Sequence, residues 1–164
     1  MGAASKLERL VRIVPGVAGY QDRENARETD KLVRMRLSDE LRHLMGDLEE
    51  AKRRLTDARD LSQLPLLDRL AGKLEKLGRT LEYAGRGYRG LFDLHKVDMK
   101  TLEQLYAFDV GLFETLTAVK AKAAAVRQSH QDPSAVKRAG DEMEAALDDF
   151  ERTFDKRRQI LTAE

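Results

Sequence analysis

The feature that most constrains this chain is a run of apolar residues whose spacing alternates between four and three. Val33, Leu37, Leu41, Leu44, Leu48, Ala51, Leu55 and Ala58 follow one another, with Arg, Asp, Glu and Lys filling most positions between them. In an α-helix this spacing draws a single stripe, whereas in a strand the same residues would scatter over both faces. The stripe needs a second helix to cover it, and steps of four and three favour shallow left-handed packing. The expectation is a helix over residues 22–60 with Asp22 as its N-cap, roughly 58 Å long at ~1.5 Å per residue.

Three further stretches carry the same signature. Leu67, Leu70, Leu74, Leu77 and Leu81 predict a helix over 63–84, with Pro65 tolerated in its first turn. Leu102, Leu105, Asp109, Leu112, Leu116, Val119, Ala123 and Val126 predict one over 98–128, capped by Asp98. Val136, Met143, Leu147, Phe150, Phe154 and Leu161 predict one over 133–161, opened by the Asp132-Pro133 pair. A short helix over 4–14 precedes them. Ser5-Lys6-Leu7-Glu8 has capping-box spacing, Leu7, Leu10, Val11 and Val14 share a face, and Pro15-Gly16 ends it. The fold class that follows is all-α: an up-and-down antiparallel bundle of four long helices plus a short N-terminal one, forming a single domain over 1–164. Because the second helix is the longest, it is expected to overhang its neighbours. The apolar stripe left open would then suit self-association or another protein.

Composition bounds the function. The 30 basic and 29 acidic side chains nearly cancel, so the whole-chain charge points neither toward nor away from nucleic acid. Cysteine is absent, which excludes disulfides, thiolate zinc sites and cysteine nucleophiles and fits a reducing compartment. There is no apolar run of the ~18–20 residues a membrane span needs, and Lys6, Glu8, Arg9 and Arg12 interrupt the N-terminus. A cytoplasmic protein is expected.

Few constellations carry chemistry. A di-metal bundle needs Glu-x-x-His on two helices. Glu40-Leu41-Arg42-His43 supplies it once and on the flank of its seam, so no metal or other cofactor is expected. There is no Gly-x-Ser-x-Gly elbow and no phosphate-binding glycine loop after a strand. Asp109 stands out because it is a carboxylate in an apolar seam. A buried charge needs a partner or a place near an end of the core; the candidates are a pair with an arginine such as Arg157, on the seam of the last helix seven residues after Phe150, and, against it, a catalytic carboxylate. That pairing sets register; no second inward carboxylate completes an acid–base pair.

Two connectors look unusual. Residues 85–96 read as a glycine-containing loop in which Arg86, Tyr88, Arg89, Phe92, His95 and Lys96 interleave cations with aromatics. Residues 63–97 carry seven basic against four acidic side chains. The loop is a candidate for binding a protein partner, or nucleic acid and other anionic surfaces, by stacking and phosphate contact. The alternative is that Tyr88 and Phe92 plug the bundle end. The other connector, residues 14–20, is followed by Arg23, Glu24, Arg27, Glu28, Asp30, Lys31 and Arg34, which read as an exposed helix start, with a docking surface as the alternative. Glycines inside the helices (Gly46, Gly72, Gly78, Gly111, Gly140) cost ~1 kcal/mol each relative to alanine unless a neighbouring helix comes close. The leading expectation is a non-enzymatic structural or interaction module.

Overall fold

The computed structural model describes residues 2–20, 22–88, 99–129 and 131–162. They form α1 (Ala3–Ile13), α2 (Arg23–Asp57), α3 (Leu64–Tyr83), a short 3-10 turn (Ala84–Tyr88), α4 (Met99–Gln128) and α5 (Pro133–Thr162). The helices follow the seams. Every leucine of the α3 and α4 stripes is buried, as are the α2 stripe from Val33 to Leu55 and the α5 stripe from Val136 to Leu161.

The ends show why the helices begin and stop where they do. Asp22 accepts the Asn25 amide proton at 3.0 Å and caps α2. Asp132 does the same for Ser134, one residue beyond Pro133. At the other end of α2 the Asp60 amide donates to the Leu55 carbonyl and the Arg59 amide to Thr56, both at 2.9 Å. This reversal places Arg59 at φ 58°, a conformation glycine usually takes. Ala58, expected on the stripe, is exposed there because the helix has ended. α1 starts earlier than its capping box implies: Gly2 is its N-cap, with no side-chain hydrogen bond. Asp98 lies outside the described residues.

Consecutive long helices alternate in direction, but their neighbours are not all antiparallel. α2 packs on α3 and α4 on α5, and these two hairpins meet through α2 against α4 and α3 against α5. Arg69, Lys73 and Lys76 of α3 pair with Glu144, Asp148 and Glu151 of α5 at a constant offset of 75 residues. A constant offset means the two helices run parallel. Glu40–Lys120 and Asp47–Arg127, both 80 residues apart, show the same for α2 and α4. At the α3–α5 contact a Cβ on Gly140 would stand 2.6 Å from Leu66 Cδ2, so this glycine permits the close approach; Gly46, Gly72 and Gly111 face no such neighbour.

α1 packs along α4. The chain then turns through Gly16 and Gly19, at φ 94° and 104°, and drives Val14, Val17 and Tyr20 into the core. Val11, expected on the buried face of α1, is instead partly exposed. The stripe on α2 has no open stretch among the described residues. From Ala26 to Leu55 its apolar positions are covered by the rest of the chain. The expected overhang is therefore filled from within: α3 is shorter, but α4 also packs along α2, and the 14–20 connector meets the start of α2 through Gly19 and Thr29.

Candidate functional site

The feature with the most concentrated chemistry is a buried polar cluster toward the end of the bundle where α2 and α4 begin and α3 and α5 finish. Four elements build it. The α4 seam places Asp109 between Leu105 and Leu112; the α5 seam, stepping from Phe150 to Phe154, brings in Arg157; α2 contributes Asp30 and Arg34; the connector delivers Tyr20. All five are essentially shielded from solvent.

The contacts are specific. Arg157 Nε donates to Asp109 Oδ1 at 2.6 Å, and Nη2 donates to the Tyr20 hydroxyl at 3.0 Å. Tyr20 in turn donates to Asp109 Oδ2 in a short hydrogen bond. Arg157 Nη2 also lies 2.8 Å from Asp30 Oδ1, as an ion pair across the bundle's diagonal. Arg34 Nε donates to Asp30 Oδ2 at 2.9 Å, while its Nη1 donates to the carbonyls of Leu81 and Glu82 at 2.7 and 3.1 Å. Those are terminal carbonyls of α3, where a cation is favourable both as donor and against the helix dipole. Gly85 makes that reach possible, since a Cβ there would stand 2.5 Å from Arg34 Nη2. The Tyr106 hydroxyl accepts the Tyr20 amide proton at 2.9 Å, with the two rings 5.3 Å apart. Thr29 Oγ1 exchanges hydrogen bonds with both backbone groups of Gly19 at 3.0 Å.

Two carboxylates and two guanidiniums make the cluster formally neutral. Burial pushes the Tyr20 phenol well above its ordinary value, with the neighbouring Asp109 charge adding to it, so Tyr20 remains a proton donor. Burial also pushes the Asp109 carboxyl up, opposed by Arg157 and by the Tyr20 hydrogen bond. Among the described residues both groups are closed off from solvent, Tyr20 at 1% and Asp109 at 0% exposure. One polar network ties α2, the end of α3, α4, α5 and the connector together.

The sequence paired Asp109 with Arg157, and the structure joins them. It missed Tyr20, Thr29, Asp30 and Arg34, reading the start of α2 as exposed. The buried positions there, Ala26, Thr29, Asp30, Val33 and Arg34, continue the α2 seam backward in phase. That phase was the available signal, hidden because polar residues occupy it.

Of the connector candidates, Arg86 is exposed, with its guanidinium carbon 4.9 Å from the centre of the Tyr83 ring. Tyr88 ends the 3-10 turn that forms the first part of the expected loop, and its side chain is outside the described set. Arg89, Phe92, His95 and Lys96 also lie outside the described residues. Glu40 is engaged by Lys120 and, at 3.0 Å, by Arg36, which lower its carboxyl from the ordinary value, Lys120 foremost. Among the described residues no group of three or more His, Asp or Glu is placed to hold a metal ion. No helix among them is long and apolar enough to cross a membrane. The chain matches no family model, no curated protein and no solved structure.

Proposed function

We propose that the chain is a non-enzymatic interaction module, a helical scaffold that self-associates through the end of the bundle where α3 finishes and α4 begins. The observation that carries this reading is the exposure of Tyr83 and Met99, the last residue of α3 and the first of α4: of the four exposed large apolar side chains among the described residues, with Val11 on α1 and Leu61 before α3, these two share one end of the bundle. Arg86 stacks over Tyr83 at the same end. Aromatic, Met and Arg side chains are those enriched in protein interfaces. The covering of the α2 stripe moves the expected contact from that helix to this end. The sealed state of the Asp109 cluster supports a scaffold over a catalyst, and a chain without cysteine suits the cytoplasm.

The test is sedimentation velocity over a concentration series. The chain is expected to form a reversible dimer, and Tyr83→Ser combined with Met99→Ser to remain monomeric. A wild-type chain that stays monomeric up to about millimolar concentration, the weak limit of useful affinity, overturns the reading. A second reading, binding of nucleic acid or another anionic surface, is favoured by the Arg86–Tyr83 stack alone. It predicts binding at low salt that weakens with added salt and with Arg86→Ala.

A further inference from the structure

α1 spans only 11 residues before the chain turns away at Pro15-Gly16, and it leaves part of the groove between α2 and α4 uncovered. The result is a cleft of about 300 Å³ bounded by α1, α2 and α4. That lies at the lower end of the range for small-molecule sites, roughly 300–1,000 Å³. Its floor is apolar: Phe113 and Leu116 are nearly fully buried, and Ile13 closes one side. One wall is charged, and the charges do not balance. Glu40 is mostly buried and meets two cations, Arg36 and Lys120. Across the mouth Arg9 and Glu114 pair one to one at 2.8 Å. The wall at Glu40 thus holds one positive charge in excess, beside a greasy floor.

We propose that this cleft binds a small monoanion with an apolar tail, such as a medium-chain carboxylate. The carboxylate takes the donors of Arg36 and Lys120 that point away from Glu40, and the tail lies on Phe113, Leu116 and Ile13. The ligand's negative charge completes the pairing that Glu40 alone leaves one short. The tail takes its own apolar surface out of water against this floor, beside the end of α1. Because α1 forms one wall, occupancy also holds α1 against α4. The cleft's lining includes neither Tyr83 nor Met99, so the inference is independent of self-association.

The experiment is an NMR titration of the full chain with octanoate, following the methyl groups of Ile13 and Leu116 and the amide of Thr117. Saturable shifts are expected, with Kd on the order of a millimolar for a ligand of this size. Lys120→Met keeps the apolar stem and removes the charge; it is expected to weaken binding about tenfold, the size of one charge-assisted contact. Octylammonium, of equal length and opposite charge, is expected to bind at least as much more weakly. Shifts that rise without saturating, equal binding of octylammonium, or an unaltered Kd in Lys120→Met would each overturn the proposal.

Discussion

Two regions of this bundle use the same charged side chains for different ends. Between α3 and α5, Arg69, Lys73 and Lys76 form a row of ion pairs with Glu144, Asp148 and Glu151, at 2.6–3.2 Å and open to water. At the end where α2 and α4 begin, Asp30, Arg34, Asp109 and Arg157 pair at 2.6–2.9 Å in the core. The distances are alike, so geometry does not separate the two regions; solvent does. In water a pair gains little over its hydrated ions. Out of water each charge has lost its hydration and depends on its partner, so the network fits only one arrangement of helices. The exposed row aligns α3 with α5, while the buried cluster fixes which residues meet and secures the N-terminal segment.

Removing one member from each region is the way to break the comparison. Arg157→Ala leaves Asp109 and Asp30 facing each other in the core without the shared cation. It should destabilise the fold by about 3–5 kcal/mol, read as a lower urea midpoint at an unaltered slope. A cost under about 1 kcal/mol, the range of exposed pairs, would erase the distinction.

Tyr20→Phe removes only the hydroxyl that bridges Asp109 and Arg157, at an expected cost of about 1–3 kcal/mol. It also sharpens the comparison through pH. The folded chain holds the Tyr20 phenol above its ordinary value, so the stability it contributes is fully present below about pH 10, where a free tyrosine keeps its proton. That stability is lost as pH rises from there toward the raised folded value, because the unfolded chain releases the proton first. Wild type should therefore lose stability above pH 10 more steeply than Tyr20→Phe, which unfolding curves at pH 9 and pH 11 will show.

The smallest effect belongs to the row. Lys73→Met keeps the side chain's apolar stem and deletes its contacts to Asp148 and Glu144. It should cost no more than about 1 kcal/mol, and less in high salt. A larger cost would mean that the row, and not the close packing of Gly140 on Leu66, holds α3 against α5.

The helices were legible because a seam repeats many times, and each repeat votes for the same phase. The Asp109–Arg157 pair was legible for the same reason: a charge inside a seam must be buried, and a buried charge needs its opposite. Tyr20, Asp30 and Arg34 were not, because no repeated pattern surrounds Tyr20 and the polar start of α2 resembles a solvated surface. Gly85 stands out in the sequence only as part of the glycine-containing connector; that its lack of a side chain makes room for Arg34 depends on how α2 packs against the end of α3. The candidate at Arg86 was visible as composition, but its stacking on Tyr83 depended on where α3 ends.

By itself the sequence determined the elements: five helices, their buried faces, most of their ends, and the need for a cation opposite Asp109. These are local consequences of periodicity and capping, set within a few turns of chain. Only the tertiary structure decided that α2 lies beside α4 and α3 beside α5, each pair parallel. It also decided that the connector closes the polar cluster and that a cleft opens where α1 stops. Heptad stripes are nearly interchangeable as partners, so they do not specify adjacency; Gly140 against Leu66 and Arg157 between Asp30 and Asp109 are contacts that only the adopted arrangement makes.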